Sequence, residues 1–358
     1  MVVEIEKALQ LENSILVDVR TEKEYNEDHI KNAINLPLFH TDEHKDIGTI
    51  YKMVGQKEAI EKGFDYVSPK LKEMYLEFGR LASEYDNIII YCARGGMRSG
   101  SLVNLISSIG INAYQLKGGY KSYRNYVLDY LKTAMEDKKF VSVHGLTGAG
   151  KTDLLIDLEK RGIDVVDLEG IAKNSGSIFG VIAFDELPPT QKHFETQLFN
   201  KIYFSKERYI FIESESRQVG RCNIPKEIFI AMTDESLHIL LETSVSARVE
   251  RLCRDYIYSK NEENMDALKE CIVRFRKRLS NKVVDEYLEL LDNRKYEELV
   301  ERYLVEYYDP LYEYSIDKYE YDLVADLEDG VTAIDSVIDY YRECTRVDWR
   351  DVRNEFTK

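Results

Sequence analysis

The chain has no long apolar segment, no paired cysteines and no excess of positive charge. A helix needs roughly 20 apolar residues to cross a bilayer, and no run in this chain reaches that length. Residues 1–6 are acidic and lack the basic and then apolar pattern of a signal peptide. We therefore expect a cytoplasmic protein that does not associate with a membrane.

The five cysteines are scattered and never form a Cys-X-X-Cys pair. An odd number of cysteines at such spacings argues against a disulfide framework and against a zinc site. A reducing compartment fits this composition, and it would keep Cys92 available as a thiol.

Negative charge predominates, because 65 acidic residues oppose 49 lysines and arginines and leave a net charge of −16. Non-specific binding to nucleic acid depends on neutralising phosphates, so this balance disfavours it for the chain as a whole. A local basic patch could still bind RNA.

Strands and helices alternate along the chain, which predicts α/β domains with parallel sheets. Residues 87–91 are a β-branched run that leads into Cys92, and a helical pattern follows at residues 101–109. The apolar run 140–144 leads into a second glycine-rich loop. A chain of 358 residues is long enough for two domains. The predicted bounds are 1–131 for the first α/β domain, 138–245 for the second and 246–358 for a helical C-terminal region.

The first loop follows Cys92 and leads into the predicted helix. Gly95 and Gly96 let the backbone curl so that several N–H groups point at one spot, which stabilises a thiolate. The thiolate is the reactive form of cysteine, so the loop predicts a nucleophilic Cys92; the alternative is a buried structural cysteine. The residues predicted to bind an anion around it are Arg94, Gly95, Gly96, Arg98 and Ser99.

The region around this loop resembles the rhodanese family. Residues 18–37 match the family's first signature, and residues 118–120 match its closing Gly-Gly-aromatic motif. The resemblance covers about residues 1–130 and implies that Cys92 carries a transferable sulfur-like atom. Asp28 stands where the family often has glycine, and we expect this difference to affect only a turn.

The second loop has the Walker A spacing, Gly-Leu-Thr-Gly-Ala-Gly-Lys-Thr, between a predicted strand and a predicted helix. This arrangement surrounds a polyphosphate with N–H groups, while the lysine reaches the outer phosphates and the threonine hydroxyl binds Mg²⁺. The predicted phosphate-binding residues are Gly145, Gly148, Gly150, Lys151 and Thr152.

A carboxylate at the end of a later strand should complete the magnesium site with Thr152. Glu213 is the first candidate and Glu215 the second, and an ordinary strand-end carboxylate is the alternative. Such a loop requires only two linked phosphates with Mg²⁺, so ATP and a prenyl diphosphate both satisfy it. No complete kinase or GTPase signature accompanies the loop.

Two basic groups interrupt the acidic C-terminal half. Arg248, Arg251 and Arg254 recur every three residues and can share a helix face. Each group is either a track for an RNA backbone or a solvated helix face paired with neighbouring acids. The second group consists of Arg274, Arg276, Lys277 and Arg278.

A rhodanese-like domain followed by a P-loop NTPase-like α/β domain with a helical C-terminal extension is similar to the tRNA 2-selenouridine synthase family. The match covers roughly residues 5–290. The segments that carry it, besides the two loops, are 167–170, 176–180, 189–195, 213–220 and 274–279.

The resemblance implies a transferase that acts in two steps on the wobble 2-thiouridine of tRNA. Geranyl diphosphate first alkylates the sulfur, and selenium from selenophosphate then replaces the S-geranyl group. It also implies that Cys92 carries the selenium, that the second loop holds the diphosphate with Mg²⁺, and that residues 274–278 contact tRNA. The expected partners are tRNA and a supplier of selenophosphate. The alternative is an ATP-dependent sulfurtransferase or kinase with a rhodanese domain.

Overall fold

The computed structural model describes residues 1–174, 187–258 and 265–346. The chain divides into two compact units, Met1–Tyr130 and Leu131–Lys358. Each unit has a five-stranded sheet in which every described strand pair is parallel. No helix in the described ranges is both long and apolar enough to cross a bilayer. The segment 176–180, which carries part of the family resemblance, lies outside the described residues.

The sheet of the first unit has the strand order β1-β5-β4-β2-β3. Its strands are β1 Val2–Val3, β2 Ser14–Asp18, β3 Ile34–Asn35, β4 Asn87–Tyr91 and β5 Ala113–Leu116. The central strand β4 is a continuous apolar run and is buried on both faces, as parallel strands covered by helices are. The helices are Ile5–Gln10, Glu22–Glu27, Thr41–Met53, Gln56–Val67, Leu71–Glu84, Met97–Ser108 and Gly119–Thr133.

A buried ion pair lies at the end of β2. Arg20 Nη2 is 2.6 Å from Asp18 Oδ2, and the same nitrogen donates a hydrogen bond to the Asp28 carbonyl at 2.7 Å. The Arg20 guanidinium also lies 3.8 Å from the centroid of the Tyr120 ring. Buried charges are tolerated when their hydrogen-bonding groups are satisfied in this way, so the pair joins the end of β2 to two later segments of the unit.

The expectation that Asp28 affects only a turn is wrong. Asp28 is fully buried, and its carboxylate accepts a hydrogen bond from the Tyr120 hydroxyl. Burial, and then the nearby Asp28 charge, raise the pKa of Tyr120, so the hydroxyl keeps its proton and donates it. Asp28 therefore connects the segment after helix Glu22–Glu27 to the helix that follows the Gly-Gly motif.

The sheet of the second unit has the strand order β12-β11-β6-β8-β7. The strands are β6 Lys139–His144, β7 Val165–Val166, β8 Tyr209–Glu213, β11 Leu237–Glu242 and β12 Leu323–Asp326, and a separate antiparallel pair consists of β9 Gln218–Val219 and β10 Cys222–Asn223. The helices described in the first part of the unit are Lys151–Lys160, Leu168–Ala172, Gln191–Tyr203 and Lys226–Thr233.

The region from residue 246 onward is more than the helical extension that its sequence indicates, because it supplies β12. This strand pairs in parallel with β11, with Ala325 opposite Leu241. Val337 and Tyr341 of the last helix pack into the same core as strands β6 and β11. The intervening helices enclose a core of their own. The helices of the region are Val245–Leu252, Met265–Arg274, Asn281–Asp292, Tyr296–Tyr303, Asp309–Ile316 and Gly330–Arg346, with π-helical turns at Cys253–Tyr258 and Leu304–Tyr308.

We predict that Asp28→Gly lowers the free energy of unfolding of the first unit by about 1–3 kcal/mol, because it removes the buried acceptor of the Tyr120 hydroxyl. Urea unfolding of the full-length protein, followed by a signal from the first unit, measures the change. Tyr120→Phe removes the donor of this hydrogen bond. Asp28→Gly should therefore lower the free energy of unfolding by less in the Tyr120→Phe background than in the wild type. An equal loss of unfolding free energy in the two backgrounds would show that Asp28 does not stabilise the unit through this hydrogen bond.

Candidate functional site

Cys92 lies directly after the carboxyl end of β4, and the helix Met97–Ser108 begins five residues after it. Gly95 has φ +62°, and a Cβ there would lie 2.8 Å from the Gly118 nitrogen. A Cβ on Gly119 would lie 2.2 Å from the Cys92 carbonyl oxygen. Glycine is required at both positions because the closing motif packs directly against the cysteine loop, backbone to backbone.

Hydrogen bonds surround the Cys92 sulfur, whose residue is only 3 % exposed. Its Sγ is 3.2 Å from the Ser99 hydroxyl, and Gln115 Nε2 donates to that hydroxyl at 3.0 Å, which leaves the hydroxyl proton to point at the sulfur. Burial by itself raises the pKa of Cys92, but the Ser99 hydroxyl and the N–H groups of Ser99, Arg94 and Gly96 outweigh it and lower the pKa. The loop therefore favours the thiolate.

The other four cysteines lie in the second unit and differ from Cys92 in their electrostatics. Burial raises the pKa of Cys222, Cys271 and Cys344, and it raises the pKa of Cys253 to about 12. These four remain protonated thiols in apolar surroundings. Cys92 is thus the one cysteine of the chain whose pKa is lowered.

The two arginines of the loop play a smaller part than their charge predicts. Arg98 Nη1 is 3.1 Å from Glu24 Oε2, so its charge is already paired. Burial tends to raise the pKa of Glu24, but the hydrogen bond and charge of Arg98 lower it overall. The Arg94 side chain is exposed, and what Arg94 contributes to the lowered pKa of Cys92 is its backbone N–H. Backbone and hydroxyl donors, rather than guanidinium groups, make this site an anion cradle.

The second loop lies between β6 and the helix Lys151–Lys160. Gly148 and Gly150 have φ +79° and +97°, which a residue with a side chain rarely adopts. Lys151 Nζ donates to the Gly145 carbonyl at 3.1 Å, so the ammonium group lies over the loop. The open loop and the helix N-terminus together make the geometry that binds a phosphate.

The pocket over this loop is lined by three carboxylates, an arginine, a leucine and two tyrosines from elsewhere in the unit. Of the predicted residues, Gly148, Gly150, Lys151 and Thr152 line it. The residues outside the loop region that line the pocket are Glu169, Glu215, Arg251, Leu252, Asp255, Tyr256 and Tyr312.

Arg248 and Arg251 lie on the helix Val245–Leu252, as expected, but they hold the phosphate loop rather than form a solvated helix face. Arg248 is 2 % exposed; its Nε donates to the Thr147 carbonyl at 2.8 Å, and its Nη2 lies 2.5 Å from Asp309 Oδ1. Arg251 Nη1 donates to the Gly148 carbonyl at 2.5 Å, and its Nε lies 3.1 Å from Asp153. The repeat of arginine every three residues, placed just after a strand, was the signal for this role.

The two candidate magnesium ligands lie in different places. Glu215 lines the pocket, whereas Glu213 lies behind it, fully buried, with Oε1 accepting from the Glu169 N–H and Oε2 without a partner among the described residues. Burial and then Glu169 raise the pKa of Glu215 to about 7, against the effect of Lys151. Burial and the neighbouring acids raise the pKa of Glu213 well above its usual range. The second candidate is therefore better placed than the first to meet a cation at the loop.

His144, the last residue of β6, also faces this region and had not been identified from the sequence. Its Nε2 is 2.8 Å from His238 Nδ1. Burial, then His238 and Lys151, lower the pKa of His144 to about 3, so the ring is neutral. A histidine that ends the strand immediately before the first loop glycine was the available signal.

The second basic group is exposed and engaged in surface pairs. Arg274 lies 3.7 Å from Glu270, Arg276 pairs with Asp285, and Arg278 Nη1 donates to the Tyr307 hydroxyl at 3.0 Å. Such exposed pairs contribute little to stability and exchange readily, so these charges stay accessible to a ligand. Lys277 is exposed as well. Their contact with tRNA stays a prediction.

Comparison with known proteins gives matches over both units. Residues 138–344 match the family described as the tRNA 2-selenouridine synthase AAA domain, and residues 1–126 match the rhodanese-like domain. The tRNA 2-selenouridine synthase of Shewanella sediminis (strain HAW-EB3) is 31% identical over 87% of this chain and 90% of that protein. That of Pseudomonas putida (strain KT2440) is 37% identical over 72% of this chain and 69% of that protein.

Solved structures also match. One of them is a crystal structure of the N-terminal domain of a protein from Clostridium difficile 630, 69% identical, covering 36% of this chain and 99% of that chain, with a TM-score of 0.35.

We predict that Cys92 is alkylated at a lower pH than an ordinary thiol, because its lowered pKa makes the thiolate available from a lower pH upward. Ser99→Ala removes the hydroxyl donor and should move the midpoint of the rate against pH upward. Peptide mass spectrometry after timed iodoacetamide treatment measures the rate at Cys92. Ser101→Ala, which removes an exposed hydroxyl of the same helix, is the matched control and should leave the midpoint in place. Equal midpoints for the wild type and Ser99→Ala would refute this role.

We predict that Arg248→Ala lowers the free energy of unfolding of the second unit by about 3–5 kcal/mol, because the largely buried Asp309 carboxylate then loses the cation that pairs with it. Asp309→Ala should lower the free energy of unfolding by much less in the Arg248→Ala background than in the wild type. Arg254→Ala, at an exposed pair with Asp255, should cost no more than about 1 kcal/mol. Urea unfolding of the three single variants and the double variant measures these values, and additive costs would argue against the pair.

Proposed function

The chain belongs to the tRNA 2-selenouridine synthase family, and from this premise we propose that it converts wobble 2-thiouridine in tRNA to 2-selenouridine through an S-geranyl intermediate. The observation that carries the proposal is the presence in one chain of two anion cradles of different kinds. One surrounds the low-pKa thiol of Cys92, and the other is the phosphate loop with Lys151. The family's members are named for action on tRNA, and we extend that substrate to this chain.

The first step is an allylic displacement. A bond forms between the thione sulfur and the first carbon of the geranyl group, while the bond from that carbon to the diphosphate oxygen breaks, and its electron pair leaves with the diphosphate. Negative charge therefore builds up on the leaving group. The N–H groups of the loop and the Lys151 ammonium are placed to stabilise that charge, and this is the main catalytic contribution that we assign to the second unit.

Mg²⁺ suits the residues around this loop. Mg²⁺ takes oxygen ligands and is held by one or two carboxylates together with substrate phosphates. Thr152 and Glu215 line the pocket and would hold the ion, and Glu213, whose Oε2 has no partner among the described residues, would orient the cluster from behind. When bound, the ion would offset charge on the departing diphosphate.

The second step replaces the S-geranyl group by selenium. The Cys92 thiolate attacks the selenium of selenophosphate; an S–Se bond forms, and the Se–P bond breaks with its electron pair left on phosphorus. The terminal selenium then attacks the base carbon, and the geranyl thiolate leaves with its bonding pair. Two molecules of an external thiol, oxidised together to a disulfide, supply the two electrons that break the S–Se bond and return Cys92 as a thiolate. Covalent carriage divides a difficult transfer into two easier ones.

The exposed basic group of the second unit is the tRNA contact that we propose. Its four residues, Arg274, Arg276, Lys277 and Arg278, carry positive charge in an otherwise acidic chain. Phosphate neutralisation by such residues gives affinity without reading the base sequence. Their exposure supports the proposal, since surface ion pairs can be exchanged for phosphates.

Two variants separate the two steps. Cys92→Ala should abolish selenation and let S-geranyl-tRNA accumulate, whereas Lys151→Ala should slow geranyl transfer by about 10²–10³-fold through loss of charge stabilisation. Nucleoside mass spectrometry of tRNA incubated with geranyl diphosphate and selenophosphate measures both products.

Full selenation by Cys92→Ala would refute the carrier role, and normal geranyl transfer by Lys151→Ala would refute the role of the loop. The competing function is an ATP-dependent sulfurtransferase or kinase. A rise in melting temperature with ATP and Mg²⁺ but none with geranyl diphosphate would favour it.

A further inference from the structure

We propose that the cleft between His144, Phe229 and Ile316 in the second unit receives the hydrocarbon chain of the allylic diphosphate. The inference rests on the proposed function and gives that substrate a second contact site beyond the phosphate loop. The cleft has a cavity volume of about 380 Å³.

The cleft adjoins the phosphate pocket. Lys151, Glu215 and Tyr312 line both spaces, so the two meet where the outer phosphates of a bound ligand would lie. An organic group attached to a phosphate on the loop can therefore extend into the cleft without crossing the backbone.

The cleft combines a charged part with a neutral one. Lys151 and Glu215 line both the cleft and the phosphate pocket, and the remaining charged group of the cleft, Lys318, is exposed to solvent. Val219, Phe229 and Ile316 supply apolar surface, which a hydrocarbon chain would cover, since apolar area removed from water stabilises a complex. Neutral polar side chains also line the cleft: Asn174, Ser214, Ser216, Gln218, Thr233 and Ser315.

A fixed aromatic cluster forms one wall. The ring centroids of His144 and Tyr319 are 4.5 Å apart, those of His238 and Tyr319 are 4.6 Å apart, and the two histidines are hydrogen-bonded to each other. Because His144 is neutral, the wall carries no positive charge that would oppose a developing cation. The first carbon of an allylic group becomes positive as the diphosphate leaves, and the face of an aromatic ring attracts such a charge.

The aromatic wall could also stack on a nucleobase. A hydrocarbon chain and a nucleobase are distinguished by the side chains that each would contact. A purine base would use the neutral polar side chains of the cleft for its edge, whereas a hydrocarbon chain would pack on Val219, Phe229 and Ile316. These apolar side chains, together with the aromatic wall, favour the hydrocarbon chain, and substitution of Ile316 distinguishes the two occupants.

Chain-length selectivity tests the proposal. Ile316→Ala removes three side-chain carbons and so enlarges the cleft. The ratio of kcat/KM for farnesyl diphosphate to that for geranyl diphosphate should rise by roughly 10-fold or more, because the longer chain can then be accommodated. Ile316→Trp fills the cleft and should raise KM for geranyl diphosphate about 10-fold or more while the shorter dimethylallyl diphosphate is still used. Binding of inorganic pyrophosphate should be unchanged in both variants, since the loop is intact; this also shows that each variant is folded.

Tyr314→Ala is the matched control. Tyr314 lies on the same helix but is 73% exposed and outside the cleft, so this variant should keep the wild-type chain-length preference. Ile316→Val is the conservative variant and should shift the preference in the same direction as Ile316→Ala, but less.

The possible results distinguish a failure of the proposed function from a failure of the cleft assignment alone. A wild type that transfers no allylic group overturns the proposed function, and the cleft assignment with it. A wild type that transfers geranyl, with Ile316 variants of unchanged preference and unchanged KM, overturns the cleft assignment alone. Weaker ATP binding by Ile316→Trp with unaltered use of geranyl diphosphate would identify the occupant as a nucleotide and would also overturn it.

Discussion

Both candidate sites depend on one constraint: a buried parallel strand must pass through a short glycine-containing turn into the N-terminus of a helix. At that turn several backbone N–H groups lack helical partners and converge on a single point. In the first unit they surround the Cys92 sulfur and lower its pKa despite burial. In the second they form the loop beneath Lys151. One local geometry thus stabilises a thiolate in one place and is built to stabilise a phosphate in the other.

The phosphate loop is held in shape by groups from a distant part of its unit. Arg248 and Arg251 donate to the loop carbonyls of Thr147 and Gly148, which holds these two peptide groups in one orientation. Arg248 is in turn paired with Asp309, so the conformation of the loop is coupled to the packing of the helical region. Burial, and then the neighbouring carboxylates, raise the pKa values of Glu213 and Glu215, so these two side chains hold protons more readily than exposed glutamates do.

Much of this could be predicted from the sequence, because strand–loop–helix patterns and glycine spacings are local. The α/β fold, the parallel sheets and the positions of Cys92 and Lys151 follow from such patterns. Three features could not be predicted. Asp28 resembles an ordinary turn residue, yet it bonds to Tyr120, far away in the chain. Arg248 and Arg251 resemble a solvated helix face, yet they hold the phosphate loop. Strand β12 follows about 75 residues of mainly helical chain, and only its pairing with β11 makes it part of the sheet.

The sequence by itself determined which backbone segments form the two glycine-containing turns, since that geometry depends on glycine at fixed positions and on the residue types beside it. Only the tertiary structure decided which carboxylate faces the loop, which arginines are buried against it, and which neutral surface lies next to Lys151. Glu213 and Glu215 are two residues apart and chemically alike, but the Glu213 side chain is fully buried, whereas the Glu215 side chain lines the pocket. That distinction depends on long-range packing, which local sequence patterns do not encode.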